Sequence, residues 1–285
     1  MNYRHIYHAG NFADVFKHII LTRIIEYLKK KDHAFRIIDT HAGIGIYDLS
    51  SVEAQKTGEW IDGVGRFLNK PIDRELESIV YPWLDIVKKL NGGKAEIKRY
   101  PGSPYLTREL LRKQDRLTAI ELHETDYQTL AHNFAGDYQT RVIHLDGYLA
   151  LGAHVPPKEK RGAILVDPPF EKTNEFSLML EGFKKAYRRF PNGTYAFWYP
   201  VKHYDELSHF INALSATEIP KILRLELRIR QRSEMPGLDG SGMIVVNPPY
   251  VLADEIQKLQ PLLLNRLSQD NHSQLIIEWV RGEAV

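Results

Sequence analysis

Short apolar runs alternate with longer stretches of helical periodicity along most of this chain. Apolar residues at helical spacing predict a helix from Phe12 to about Lys31. Runs typical of strands begin at Phe35, Leu117, Arg141, Ala163, Thr194, Ile222 and Gly242. Their alternation with helical patterns predicts an α/β, Rossmann-like, doubly wound sheet of seven mostly parallel strands. No helical pattern separates the last two strands, so we expect the final strand to be antiparallel.

Residues 47–98 interrupt this alternation. Helical patterns at about 58–68 and 74–90 follow one another there without an intervening strand. We therefore expect a core formed by residues 1–46 and 99–285, with an inserted helical subdomain at 47–98. Within the core, residues 1–31 form an N-terminal segment placed to contact substrate or cofactor.

The composition excludes several kinds of chemistry. The 285 residues include no cysteine, which rules out disulfides, thiolate metal sites and cysteine nucleophiles. A net charge of +2 permits a nucleic-acid partner without requiring one. The polar N-terminus lacks the apolar core of a signal peptide, and no apolar run is long enough to span a bilayer. We expect a soluble, cytoplasmic protein with no membrane partner.

The apolar run 163–166 ends in Asp167-Pro168-Pro169-Phe170. Proline has a fixed φ and no N–H group, so this turn is rigid and its carbonyls remain available as acceptors. A carboxylate, carbonyl acceptors and an aromatic ring suit the amino group of a flat heterocycle. A simple turn with a capping Asp and a core Phe explains the motif equally well when it is taken alone.

Acidic residues end four successive predicted strands, at Asp39, Glu121, Asp146 and Asp167. Ligands of doubly wound sheets lie outside the carboxyl ends of the strands, so these side chains predict one ligand site. A dinucleotide fits poorly, because the turn at 39–45 holds only two glycines and no helix follows directly.

S-adenosylmethionine fits this set of side chains better. Its ribose diol suits Glu121, its adenine amino group suits Asp146, and its sulfonium tolerates Asp167. The helix start at 101–104 offers N–H groups and the Ser103 hydroxyl to the carboxylate of that cofactor.

Several longer motifs carry a family resemblance. They are Tyr-Arg-His-x-Tyr-His-Ala-Gly-Asn-x-Ala-Asp-Val-x-Lys-His (3–18), Asp-Thr-His-Ala-Gly (39–43), Tyr-Pro-Gly-Ser-Pro (100–104), Glu-Leu-His (121–123), Asp-Gly (146–147), Asp-Pro-Pro-Phe (167–170), Trp-Tyr-Pro-Val (198–201) and Ser-Gly-Met-Ile-Val-Val-Asn-Pro-Pro (241–249). The chain resembles the RlmJ family of ribosomal RNA large-subunit methyltransferases, which methylate N6 of one adenine in 23S rRNA. The Asp-Pro-Pro-aromatic motif by itself is shared with DNA adenine methyltransferases.

The resemblance implies roles for individual residues. Catalysis is expected at Asp167, with Pro168 and Phe170. RNA contacts are expected at Tyr3, His5 and Lys17. Cofactor contacts are expected at His18, His41, Gly43, Ser103, Glu121, Asp146, Gly147 and Asp167. Phe170 departs from the tyrosine often found in the family, a change that keeps ring stacking and is expected to preserve activity.

Other partners and functions follow from the same observations. His5, His8, His18 and His41 lack metal-ligand spacing, so we expect no metal and assign them core or hydrogen-bonding roles. Arg230 and Arg232 are interpreted either as the wet face of a strand or as RNA phosphate contacts. The expected enzyme is a monomer acting on protein-free 23S rRNA or an early assembly intermediate. DNA adenine-N6 methylation and a non-catalytic binding protein are the alternative functions.

A second motif, Asn247-Pro-Pro-Tyr250, matches the first almost residue for residue. Since its strand is predicted to be antiparallel, we expect Asn247 at the opposite end of the sheet from Asp167. There it is expected to cap the last helix.

Overall fold

The protein is described by a computed structural model at residues 4–68, 70–94, 96–234 and 237–282. Its strands are β1 (Arg36–Asp39), β2 (Ile46–Asp48), β3 (Arg99–Pro101), β4 (Arg116–Glu121), β5 (Thr140–His144), β6 (Gly162–Val166), β7 (Thr194–Val201), β8 (Ile222–Arg228), β9 (Gly240–Val246) and β10 (Gln274–Arg281). Its α-helices are α1 (Phe12–Lys29), α2 (Val52–Thr57), α3 (Glu59–Asp62), α4 (Arg74–Leu90), α5 (Ser103–Leu110), α6 (Glu124–Asn133), α7 (Gly147–Ala153), α8 (Glu175–Arg189), α9 (Tyr204–Ser215) and α10 (Leu252–Leu267).

Eight of the strands form one central sheet in the order β10-β8-β9-β7-β6-β1-β4-β5. The pairs β7–β6, β6–β1, β1–β4 and β4–β5 are parallel, whereas β9 runs antiparallel to both β7 and β8. The predicted α/β fold, with a mostly parallel sheet and an antiparallel strand after β8, is confirmed.

The main sheet has one strand more than the seven predicted. Strand β10 pairs antiparallel with β8 at the edge of the sheet. Most of its residues are exposed or half-buried, so it lacks the continuous apolar run that identifies a central strand. The separate ribbon of β2 and β3 was also not predicted, because each strand is only three residues long.

Strand β6 shows why the central strands read as apolar runs. All five of its residues are buried, because helices cover both faces of the sheet. Ala163 and Leu165 belong to the hydrophobic cluster on one face, and Ile164 and Val166 belong to the cluster on the other. The strand therefore ends rigidly between two packed layers, and Asp167 follows directly from it.

Helix α1 is capped at its N-terminus by Asn11, whose side chain accepts the N–H of Asp14. It is buried on nearly all sides because α4, α5 and α10 pack around it. Trp83 of α4 shares one hydrophobic cluster with Ile20 of α1. Helices α2, α3 and α4 and a 3₁₀ helix at Val64–Phe67 occupy the predicted insertion. The treatment of residues 47–98 as a separate subdomain stays a prediction.

Candidate active site

The carboxyl ends of β1, β4, β6 and β7 open onto one cavity of about 1090 Å³. The cavity is lined by every predicted site residue that the structure describes: His5, Lys17, His18, His41, Gly43, Ser103, Glu121, Asp146, Gly147, Asp167, Pro168 and Phe170. Tyr3, the predicted RNA contact, lies outside the described residues. Residues separated by up to 165 positions in sequence therefore share one site.

Asp167, which follows the end of β6, forms an ion pair with a buried lysine of helix α1. Its Oδ2 lies 2.5 Å from Nζ of Lys17, and the same Nζ lies 2.9 Å from Oδ1 of Asp14. Burial opposes the charge on Lys17, whose side chain is only 4% exposed, but the two carboxylates outweigh burial and raise its pKa. Lys17 is thus a charged bridge between helix α1 and the Asp167 turn.

Asp14 joins this bridge to the N-terminal segment, a role that we did not predict. It accepts hydrogen bonds from His5 Nε2 and from the Gly10 N–H, both at 2.9 Å. Burial would raise the pKa of Asp14, yet the charges of His5 and Lys17 hold it well below its usual range. The three-residue spacing of Asp14 and Lys17 on one helix face was the available signal.

Two carboxylates face the cavity at the ends of neighbouring strands. Glu121 accepts the N–H groups of Gly43 and His123, each at 2.8 Å, and burial raises its pKa despite these bonds. Asp146 caps helix α7 by accepting two backbone N–H groups at Oδ1. Within the described residues its Oδ2 accepts no hydrogen bond. Both side chains therefore retain acceptor capacity for ligand hydroxyl or amino groups.

Gly147 brings the start of α7 against the end of β1. A Cβ added at this position would lie 2.4 Å from the Thr40 carbonyl oxygen and 2.7 Å from the His41 ring. Burial lowers the pKa of His41 to about 4, and its ring packs edge-on against Tyr148 at 5.5 Å. The neutral His41 ring forms part of the cavity wall.

The Ser103 hydroxyl also has a partner within the protein. Its hydroxyl donates to Oδ2 of Asp39 at 2.6 Å, and burial raises the pKa of Asp39 to about 7. In this arrangement the Ser103 hydroxyl is hydrogen-bonded to Asp39, and its oxygen can still accept from a ligand ammonium group.

The four N-terminal histidines are hydrogen-bonded side chains, as predicted. His18 Nδ1 lies 2.9 Å from the Tyr100 hydroxyl, and burial lowers the pKa of His18 to about 3. His8 Nδ1 lies 3.0 Å from Glu59 of the insertion, and His41 Nδ1 lies 2.9 Å from the Thr40 hydroxyl. Among the described residues, no group of three or more His, Cys, Asp or Glu is arranged to hold a metal ion.

Phe170 closes the site with an aromatic wall. Its ring packs edge-on against Phe176 at 4.9 Å and against Trp198 at 5.7 Å. Its backbone has a φ of 53°, which is uncommon for a residue with a bulky side chain. Trp198 was not predicted as a site residue, although it belongs to the Trp-Tyr-Pro-Val motif.

Arg230 and Arg232, the two arginines considered as RNA contacts, each interact with a neighbouring side chain. Arg230 lines the cavity and donates to Asp239 at 2.9 Å. Arg232 places its guanidinium 4.7 Å from the centroid of the Tyr204 ring. A contact of either residue with RNA stays a prediction.

Asn247 lies at the opposite end of the sheet, as predicted. Val246 pairs with Tyr195 near the start of β7, whereas Asp167 follows the end of the parallel neighbour β6. Its predicted role as a helix cap is wrong. Asn247 Nδ2 donates to the carbonyls of Pro191 and Gly193, each at 2.8 Å, and Val251 is the N-cap residue of α10.

Comparisons with known proteins identify the family of this chain. Residues 32–281 match the family described as Ribosomal RNA large subunit methyltransferase D, RlmJ. The chain is 41% identical over 283 residues to the Ribosomal RNA large subunit methyltransferase J of Haemophilus influenzae, covering 99% of this chain and 100% of that protein. It is 40% identical over 284 residues to the protein of the same name from Escherichia coli, with the same coverage.

Solved structures extend the comparison. A crystal structure from Legionella pneumophila aligns with a TM-score of 0.86 and 35% identity, covering 95% of this chain and 98% of that one. A probable spermidine synthase from Corynebacterium glutamicum aligns over 95% of this chain and 81% of that one, with a TM-score of 0.52 and 12% identity, and shares the fold alone. In the described part of the chain, no helix is long and apolar enough to cross a membrane. From the family match and the full-length relatives, the chain belongs to the RlmJ family of ribosomal RNA large-subunit methyltransferases.

Proposed function

We propose that this protein methylates N6 of an adenine in 23S rRNA, with S-adenosylmethionine as the methyl donor. The observation that carries the proposal is the Asp167–Lys17 pair, which lies in the same cavity as Glu121 and Asp146. When bound, S-adenosylmethionine supplies an electrophilic methyl group on a sulfonium sulfur.

The side chains at the ends of β1, β4 and helix α7 fit this cofactor. Glu121 accepts hydrogen bonds from ribose hydroxyls, and Oδ2 of Asp146 accepts from the adenine amino group. The close approach of Gly147 to β1 leaves backbone rather than side chain at this wall. Ser103 and the neutral ring of His41 complete the cofactor contacts, and Ser103 acts as an acceptor rather than a donor.

Asp167 and Pro168 hold the target amino group. Lys17 occupies Oδ2 of Asp167, while Oδ1 accepts no hydrogen bond from the described residues. We infer that Oδ1 and the Pro168 carbonyl each accept one N6–H of the adenine. This arrangement favours a pyramidal nitrogen whose lone pair points away from both acceptors. Asp167 then takes the proton that the nitrogen loses.

Lys17 is interpreted as a positioning residue rather than as a contact to RNA phosphate. Its 4% exposure and its two carboxylate partners leave little ammonium surface for a third anion. By fixing Oδ2 it restricts rotation of the Asp167 carboxylate, so that Oδ1 keeps its orientation before the adenine enters.

The adenine must leave its stack to reach Asp167. The edge-on cluster of Phe170, Phe176 and Trp198 provides an apolar wall on one side of the Asp167 turn. His5, held by Asp14, places the N-terminal segment at the same cavity. We therefore propose that residues of this segment, including Tyr3, contact the extruded nucleotide.

Methyl transfer from labelled cofactor tests the function. Protein-free 23S rRNA should accept label and duplex DNA should not, and the label should be recovered as N6-methyladenine. Mature ribosomal subunits serve as a third substrate and should be methylated poorly. Equal labelling of DNA would contradict the RNA assignment, and absence of transfer to every substrate would contradict the enzyme assignment.

A further inference from the structure

The amino ends of three adjacent parallel strands carry a concentration of positive charge. Residues 30–36, 111–116 and 157–161 lead from helices into β1, β4 and β6, which are adjacent in the sheet, and the first two ranges include the first residue of the strand. We call these three connections the amino-end face. Each contains three lysines or arginines and one acidic residue, giving nine cations against three carboxylates. That excess of six exceeds the net charge of +2 of the whole chain.

Part of this charge has a structural role. Arg112 donates to the carbonyls of Lys29 and Lys31, and Arg161 donates to the carbonyl of His33. These bonds satisfy acceptors at and just beyond the end of helix α1. Burial, followed by repulsion from Arg112, lowers the pKa of Arg161. The arginines therefore explain how the α1–β1 connection is held, without reference to a ligand.

Five lysines have no such role. Lys30, Lys31, Lys113, Lys158 and Lys160 are exposed, and within the described residues none of them forms an ion pair with a carboxylate. Two of the three acids on the face are already engaged: Asp115 is paired with Arg112, and Glu159 is paired with Arg36. The unpaired positive charge is thus spread over three loops rather than concentrated around one point.

Exposed aromatic side chains flank these cations. Tyr138 is 67% exposed and lies under the guanidinium of Arg116 at 5.5 Å. On the other side, Lys30 lies 5.4 Å from the Tyr27 ring, which packs edge-on against Tyr250, 76% exposed. Dispersed cations flanked by exposed aromatic rings suit a nucleic-acid strand, because phosphates repeat along it and bases can stack.

We propose that the amino-end face binds the phosphate backbone of an RNA segment remote from the methylated adenine. This inference rests on the proposed function, which supplies an RNA substrate. Asp167 and the amino-end face lie at opposite ends of β6, which at five residues separates them by on the order of 15–20 Å. A single nucleotide cannot reach both places, so the RNA must pass around the edge of the protein.

The test compares two variants with the same change of charge. In the first, Lys30, Lys31, Lys113, Lys158 and Lys160 are replaced by Gln, and the structural arginines are kept. In the matched control, five exposed lysines of the insertion are replaced by Gln: Lys56, Lys70, Lys88, Lys94 and Lys98. Binding to protein-free 23S rRNA is measured over a range of KCl concentrations, together with cofactor affinity and thermal stability.

The face variant should bind 23S rRNA about tenfold or more weakly near physiological salt, with a log–log salt slope shallower by about three to four. Its cofactor affinity, its stability and its methylation rate at saturating RNA should stay within twofold of wild type. The control variant should retain most of its RNA affinity and its salt slope.

Unchanged RNA affinity in the face variant, or an equal loss in the control, would overturn the proposal. Vesicles containing phosphatidylglycerol serve as a second polyanion. Wild-type binding to these vesicles that is lost in the face variant, with RNA binding intact, would assign the face to a membrane surface and also overturn it. Because binding needs no turnover, this comparison is decided even if the wild-type protein fails to methylate RNA.

Discussion

The chain contains two nearly identical Pro-Pro motifs, Asp167-Pro-Pro-Phe and Asn247-Pro-Pro-Tyr, in opposite structural settings. The first follows the parallel strand β6 and enters the cavity that holds Glu121 and Asp146. The second follows the antiparallel strand β9, and its Asn247 side chain donates hydrogen bonds to the carbonyls of Pro191 and Gly193. Four residues of similar chemistry thus form a candidate catalytic turn in one place and a structural turn in the other.

The two motifs differ in the direction of the preceding strand and in the residues that contact Asp167 and Asn247. Asp167 follows the parallel strand β6 and lies at the end of the sheet where it pairs with Lys17 of helix α1. Asn247 follows the antiparallel strand β9 and lies at the opposite end. Local sequence specifies a rigid turn with free carbonyls, and topology decides whether that turn meets a ligand site.

The largest effect is expected for Asp167→Asn. This change keeps an acceptor but removes the charge and the proton-accepting role, so methyl transfer should fall by about 10²–10⁴-fold. The protein should still fold, because Lys17 keeps Asp14 as a counter-charge. Turnover with labelled cofactor measures the effect, and Asn247→Asp is the reciprocal variant. Near wild-type turnover of Asp167→Asn would mean that the first motif is not catalytic and does not differ from the second in this respect.

The proposed role of Lys17 in positioning Asp167 is tested by Lys17→Gln. Loss of the ammonium leaves the Asp14 and Asp167 carboxylates close together without the cation that joined them, which should cost about 3–5 kcal/mol of stability and most of the activity. A double variant with Asp14→Asn removes one of the charges and should recover stability without recovering activity. Denaturant unfolding and methyl transfer are measured on both proteins. Full activity in the double variant would mean that Lys17 does not position Asp167.

The Asp167 end should also be the acid-sensitive end of the sheet. Burial depresses the pKa of His18 to about 3 from a usual value of 6.5, so the unfolded chain binds more protons between these pH values. The contribution of His18 to stability should therefore be lost as pH drops from about 6.5 toward 3, and a His18→Gln variant should show a flatter slope over this range. His272→Gln, at a side chain 65% exposed, is the control and should keep the wild-type slope. An unchanged slope in His18→Gln would contradict this assignment.

The smallest effect is expected at the second motif. Asn247→Ala removes two hydrogen bonds and places Ala at a φ of 51°, a conformation that asparagine tolerates better. The expected cost is about 1–3 kcal/mol of stability, with methyl transfer close to wild type. Chemical denaturation and turnover are compared on one preparation. A well-folded but inactive Asn247→Ala protein would show that this end of the sheet takes part in catalysis.

Sequence patterns were sufficient for the parallel core and for the location of both Pro-Pro motifs. Buried strands are apolar throughout, and the direction of β9 followed from the lack of a crossover helix before it. Strand β10 was missed because an edge strand is only partly buried and carries no distinctive run. The role of Asn247 was wrong because its partners, Pro191 and Gly193, precede a different strand and cannot be located from spacing alone.

The candidate site was predictable where a residue ends a strand and was missed where it acts through a partner. Glu121, Asp146 and Asp167 follow from strand order. Asp14 does not, because its importance depends on burial and on simultaneous contacts with His5, Gly10 and Lys17. Motifs therefore identify the ends of the sheet, whereas the charge network that holds them depends on three-dimensional packing.

The close approach at Gly147 limits how this sequence can evolve. Any side chain there would overlap the backbone of Thr40 and the ring of His41, so even alanine requires two elements of the core to separate. Five residues later on the same helix, a Cβ at Gly152 would meet no atom of the described residues within 4 Å. Among lineages that keep the fold, Gly147 should be fixed while Gly152 drifts freely.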